Sequence, residues 1–154
     1  MSSEELRLAS GDRIIANQRI LIAMFNRVAT AHPSSLVLFD GHLLIDTAAQ
    51  LIEVPQGVIA ALRPRLLVHV EAEPTLIATR RRGDTSRTRP ALHMDTLAAH
   101  QDRSRDLCHA HKRRLNIPMQ IVGSSDVEGL VAICQSLDNS VPVNTRCCGS
   151  VRPD

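Results

Sequence analysis

The chain has 154 residues, enough for one domain with a sizeable core, and a formal net charge of +2. Phe25 and Phe39 are its only Phe, Tyr or Trp residues, so the core is aliphatic and the composition argues against stacking platforms for nucleic-acid bases. The small net charge excludes a generally basic polyanion binder; positive charge is concentrated locally. Nearly every cation is arginine, since Lys112 is the single lysine. Arginine suits bidentate contact with phosphate or carboxylate. Cys108, Cys134, Cys147 and Cys148 form no C-x-x-C pair. The opening MSSEELRLAS has no basic segment followed by an apolar run, and no stretch approaches transmembrane length. Reduced thiols in a cytoplasmic protein without a membrane partner are the resulting expectation.

In chain order, DRIIANQRILIAMFNRVATAHP carries Ile14, Ile15, Ile20, Leu21, Met24, Phe25 and Val28 as a helical stripe. Asp12 is a candidate N-cap and Pro33 a stop. SLVLFDGHLLI reads as a buried strand over residues 36–40, ending at Asp40-Gly41. PQGVIAALRP is a short helix between Pro55 and Pro64. RLLVHVEAEP gives a second buried strand, over 66–71, ending near Glu71. PTLIATRRR begins a helix with Pro74 in its first turn. MDTLAAHQDRSRDLCHAHKRRLN is a longer helix capped by Asp95 or a neighbour. MQIVGSS is a third strand, over 119–122, and SDVEGLVAICQSLDN a closing helix capped by Ser125 or Asp126. One domain over 1–139 and a frayed tail over 140–154 follow. Alternating strands and helices predict an α/β fold: a parallel sheet with flanking helices in three layers. Ligands bind such sheets at the carboxyl ends of the strands. Asp40, Glu71 and the arginine segment all follow strand ends.

Residues 80–90, RRRGDTSRTRP, hold five arginines in eleven positions. A solvated basic loop has this composition, and so does a lid of guanidiniums that closes on phosphates. The second reading has a chemical reason: phosphoryl transfer depends on positioning and on neutralising oxygen charge, and rigid guanidinium forks do both. LVLFDGH is open in the same way. Asp40 stands where a strand-end carboxylate meets Mg²⁺ or its waters, but any Asp-Gly turn after a strand looks alike. His69 alternates within an apolar strand and reads as a packed core histidine. His109 and His111 are spaced i, i+2, which points them to different helix faces rather than to one metal.

Taken in order, these pieces resemble the archaeal-type adenylate kinases and their bacterial relatives, P-loop proteins often labelled as AAA-family. The family has a strand ending in Asp-Thr-His or Asp-Gly-His, here FDGH. A helix leads to Leu-x-Pro and a strand ending in Glu-Ala-acidic-Pro, here ALRPRLLVHVEAEP. An arginine pair, an aspartate and two spaced arginines follow, here Arg80, Arg81, Asp84, Arg87 and Arg89. A helix with His-Gln and a downstream arginine comes next, here His100, Gln101 and Arg105. The likeness covers about residues 12–124 and implies a P-loop NTPase-like fold. It implies ATP and Mg²⁺ as cofactors and a small-molecule phosphate acceptor. Asp40 would hold Mg²⁺ through water and act in catalysis with Arg81 and Arg87. Arg80, Arg81, Arg87, Arg89 and Arg105 would bind the nucleotide, and His42 and Gln101 the substrate.

The chain departs from the family at several points. It contains no G-x-x-x-x-G-K-[ST] loop, and Lys112 follows an Ala-His pair in a predicted helix. The expectation is a chain that lacks the central first strand and its loop, inactive as it stands. Such a sheet would have a gap and exposed edges through which a homo-oligomer can form. Gly83, Pro90 and Ser104 replace residues usual in relatives. The alternative function is a non-catalytic module that binds a nucleotide or completes its sheet with a partner. Nucleic-acid binding through the arginine segment is disfavoured by the low net charge and the lack of aromatics.

Overall fold

This computed structural model describes residues 9–32, 35–47, 50–85 and 92–139. The 140–154 tail and the lid residues Arg87 and Arg89 lie outside the described residues. Helix α1, Gly11–Ala31, starts two residues earlier than expected: Ser10 is the N-cap, and its hydroxyl accepts the Arg13 N–H at 3.4 Å. Asp12 falls in the first turn instead, where a carboxylate suits the helix dipole. The helix ends at Ala31, two residues before Pro33.

Residues 36–40 are not a strand, contrary to the sequence reading. No described strand lies beside them, and an isolated extended run cannot complete a ladder of backbone hydrogen bonds. The segment is held to α1 by its aromatic residue: Phe39 meets Phe25 edge to face, with ring centroids 5.4 Å apart. Extended pairing begins further on. Strand β1, Leu44–Asp46, and strand β2, Leu51–Glu53, form an antiparallel hairpin with Ile45 opposite Ile52. The Thr47 hydroxyl closes the turn. It donates to the Gln50 carbonyl at 2.6 Å and accepts the Gln50 N–H at 3.0 Å. The sequence hid this hairpin, because DTAAQ lacks the Gly, Asn or Pro that marks most tight turns.

Helix α2, Gln56–Ala61, leads to strand β3, Leu67–Glu71. Helix α3, Pro74–Gly83, follows with Pro74 in its first turn. Helix α4, Met94–Leu115, is capped by His93, whose Nδ1 accepts the Asp95 N–H; Asp95 itself lies inside the first turn. Asn116 ends α4 in the left-handed conformation that asparagine tolerates. Strand β4, Met119–Gly123, pairs with β3 in parallel, from Leu67 opposite Met119 to Glu71 opposite Gly123. Helix α5, Val127–Asn139, is capped by Asp126, whose Oδ1 accepts the Gly129 N–H at 2.9 Å. The fold is α/β, a small parallel sheet with flanking helices.

The main core joins Ile14 of α1, Ile45 of β1, Val54, and Val58 and Ile59 of α2. Leu97 and Cys108 on α4 and Val122 on β4 are buried as well. The α1 stripe is only half used. Ile14 is 1% exposed, whereas Ile20, Met24 and Val28, spaced about a turn apart on another face, are more than half exposed. On the parallel pair, His69 and Val122 face inward while Val70 and Ile121 are about half exposed. No helix among the described residues is long and apolar enough to cross a membrane.

Candidate functional site

The parallel pair ends at Glu71 and Gly123, side by side. Beyond these ends the chain turns twice: into α3 through Ala72 and Glu73, and into α5 through Ser124 to Asp126. The two turns are tied together, because the Ser124 N–H donates to the Glu71 carbonyl at 2.6 Å. From α4, Gln101 reaches the same point and its Oε1 accepts the Ala72 N–H at 2.9 Å. One backbone N–H at the strand end is thereby satisfied by a side chain from a helix 29 residues away in sequence.

Arg105, one turn along α4, meets the Glu71 carboxylate in a fork. Its Nε donates to Oε1 at 2.5 Å and its Nη2 to Oε2 at 3.0 Å. This bidentate geometry is the strong form of a guanidinium–carboxylate pair. Arg105 Nη1 also lies 3.2 Å from Asp102 Oδ1, one turn back on the same helix. The Arg105 hydrogen bonds hold the Glu71 carboxyl below the usual carboxylate range, against an opposing effect of burial. Glu71 in turn raises the affinity of Arg105 for its proton.

Beneath this pair lies His69, buried as the sequence predicts. Its Nε2 is 3.4 Å from Glu71 Oε1, in a geometry that makes no hydrogen bond. Burial lowers the proton affinity of His69; Glu71 opposes that effect and Arg105 adds to it. Burial thus favours the neutral imidazole beneath the paired carboxylate and guanidinium.

Helix α3 brings its last-turn cations toward the site from the other side. Arg80 Nη1 donates to the Ser124 hydroxyl at 3.1 Å. Arg81 is mostly buried and its Nη2 lies 3.5 Å from Asp46 Oδ2, at the end of β1. The arginine cluster thus begins on a helix C-terminus, where cations also offset the dipole. Arg103 and Arg105, adjacent in the sequence pattern, separate onto different faces. Arg103 pairs with Glu53 of the hairpin, its Nε 2.8 Å from Oε1.

Arg80, Arg105 and Gln101 are therefore gathered at the carboxyl ends of β3 and β4. Asp40 and His42 are not. Both are exposed on the segment that Phe39 holds to α1, and no hydrogen bond or ion pair joins them to the cluster. Among the described residues no three His, Cys, Asp or Glu side chains converge on one point. A metal at Asp40 would therefore rest on one carboxylate, waters and ligand oxygens, which is the usual habit of Mg²⁺ with phosphates. The exposed Asp40 carboxylate is compatible with that role. Sequence reasoning missed Ser124, Asp46 and Asp102. Ser124 had a signal, since it follows a strand end in GSS; Asp46 had none, because β1 itself was not legible.

A family profile described as an AAA domain matches residues 3–98. The adenylate kinase of Thermococcus kodakarensis is 30% identical over 131 residues, covering 84% of this chain and 60% of its own. That of Thermococcus sibiricus is 32% identical over 95 residues, 61% of this chain and 48% of its own. That of Pyrococcus furiosus is 30% identical over 104 residues, 67% of this chain and 52% of its own. The chain spans about half to three-fifths of the length of these relatives.

Proposed function

This chain belongs to the adenylate-kinase-like AAA-domain family of P-loop proteins, and on that premise we propose that it binds ATP as a cytoplasmic nucleotide-kinase-like domain. The associated chemistry is transfer of the γ-phosphoryl group of ATP to a small acceptor. The observation that carries the reading is the pair of guanidiniums at the carboxyl ends of β3 and β4, Arg80 on Ser124 and Arg105 on Glu71. Parallel α/β sheets take their ligands at that end.

In this reading Arg80, Arg81, Arg87, Arg89 and Arg105 bind phosphate oxygens, and Arg81 and Arg87 stabilise the charge that develops during transfer. Mg²⁺, when bound, offsets charge on the β- and γ-phosphate oxygens. Asp40 would hold the ion through water, as the family resemblance implies. Gln101 Oε1 already accepts from Ala72, which leaves its NH₂ group for the substrate; the part of His42 in substrate binding rests on the resemblance of FDGH to the family pattern alone. No G-x-x-x-x-G-K-[ST] run lies within the 154 residues. The backbone N–H cradle and lysine of that loop supply much of the phosphate grip in P-loop enzymes. This sequence alone therefore binds nucleotide without kinase-rate turnover. Calorimetric titration with ATP and Mg²⁺, paired with a turnover assay, tests both parts. Turnover at about 1 s⁻¹ or faster, within the kinase range, overturns the second.

One observation favours a second reading. Val70 and Ile121 are about half exposed, and among the described residues each strand of the parallel pair has one neighbour only. Open strand edges pair readily with another chain. A regulatory module that completes its sheet with a partner, including a second copy, fits that surface. Light scattering across concentrations distinguishes a self-associating chain from a monomer.

A further inference from the structure

We propose that Glu71 is a positioning residue that presents Arg105 end-on to a phosphate chain, and that Asp102 holds the place of one phosphate oxygen until it arrives. The proposal rests on the nucleotide-binding reading, which gives Arg105 a phosphate but gives Glu71 and Asp102 no part.

A guanidinium carries five N–H bonds in one plane. Glu71 takes the side edge of Arg105, one N–H of Nε and one of Nη2, with a separate carboxylate oxygen for each. Three N–H bonds remain, one on Nη2 and two on Nη1, and Asp102 Oδ1 lies against Nη1 at 3.2 Å as an ion pair. Moving that carboxylate aside clears the end edge, where Nη1 and Nη2 together match two oxygens of a phosphate.

The two carboxylates differ in how easily they let go. Glu71 has a side chain 22% exposed, at the end of a paired strand, with its own carbonyl tied to Ser124. Both of its oxygens are engaged, and rotating it away breaks two charge-assisted bonds. Asp102 has a side chain 64% exposed and makes one contact at 3.2 Å within its own helix. Water and salt screen such a pair, so it contributes little. An arriving phosphate displaces Asp102 and leaves the Glu71 fork in place. Gln101, one residue before Asp102, fixes α4 against Ala72. The guanidinium therefore does not have to search for its orientation when the anion binds, and that lowers the entropic cost of the contact.

The test is calorimetric titration of the full 154-residue chain with inorganic triphosphate, for wild type, Glu71→Gln, Arg105→Ala, the double variant and Asp102→Asn. Arg105→Ala should weaken binding roughly tenfold or more, the loss of a charge-assisted contact. Glu71→Gln should weaken it about three- to tenfold, and should change nothing further once Arg105 is alanine. Asp102→Asn should act in the opposite direction and tighten binding about two- to fivefold, because the competing carboxylate charge is gone. In wild type, triphosphate should shift the Arg105 side-chain Nε–H resonance. That resonance and the Asp102→Asn result decide the matter if Glu71→Gln does not fold. Effects of Glu71 and Arg105 that add, or Asp102→Asn binding more weakly than wild type, refute the positioning scheme and leave the nucleotide reading standing. No binding of triphosphate by wild type overturns both.

Discussion

Replacing Ile14 by alanine should be among the costliest single changes in this chain. Its side chain is fully buried, touching the hairpin and α2 through the cluster of Ile45, Val54, Val58 and Ile59. The substitution removes three carbons beyond Cβ. At about 0.8 kcal/mol per buried methylene, transfer alone accounts for about 2.4 kcal/mol. The cavity left behind adds to this, which places the total at about 3–4 kcal/mol, within the usual range for such changes. Ile20, on the same helix, is 61% exposed, and Ile20→Ala should change stability by no more than about 0.5 kcal/mol. Urea denaturation followed by far-ultraviolet circular dichroism measures both. With a slope of about 1–3 kcal/mol per molar, the Ile14 variant should lose roughly 1–4 M in midpoint. The reverse ranking, with Ile20→Ala costing more than 2 kcal/mol and Ile14→Ala almost nothing, would show that α1 presents its other face to the core.

Three further outcomes follow from the electrostatics. Burial lowers the proton affinity of His69 and His111 in the folded chain, so the unfolded chain takes up protons first as pH falls. Their contribution to stability is present above about pH 6.5 and is lost as pH drops toward the folded values, with a slope of at most about 1.4 kcal/mol per pH unit for each; chemical denaturation at a series of pH values measures it, and stability that rises on acidification through this window contradicts it. Arg103→Ala should cost no more than about 1 kcal/mol in the same assay, since both Arg103 and Glu53 are about half exposed. Arg81→Ala should leave the circular dichroism spectrum unchanged and weaken ATP binding roughly tenfold to a hundredfold by calorimetry, by loss of one charge-assisted contact, while reversing the charge at the exposed Arg114 should do far less.

Where an element carried its own punctuation, the sequence was readable. Pro74 opened α3, Asp126 capped α5, and the apolar runs LLVHV and MQIVG marked the two parallel strands. The hairpin was not readable, because three-residue strands leave too short a period and its turn is closed by the Thr47 hydroxyl rather than by glycine. Residues 36–40 show the opposite failure. Leu36 to Phe39 have the composition of a buried strand, but strand formation needs a neighbour, and composition says nothing about neighbours. At the candidate site, the order of the sequence named Arg105 and Gln101 and put Glu71 at a strand end. The pairings themselves were not legible, since Glu71 meets Arg105 across 34 residues and Arg80 meets Ser124 across 44. Such pairings are set by how α3 and α4 pack on the strand ends.

The role proposed for these arginines is to hold a nucleotide and not a polynucleotide. Its most direct test is calorimetric titration of the full chain with ATP and Mg²⁺, repeated with Arg80→Ala and in the presence of single-stranded RNA. ATP should bind, Arg80→Ala should weaken it roughly tenfold as one charge-assisted contact is lost, and RNA at equal phosphate concentration should not compete. An absence of ATP binding, or RNA that displaces ATP and itself loses affinity with Arg80→Ala, would contradict it.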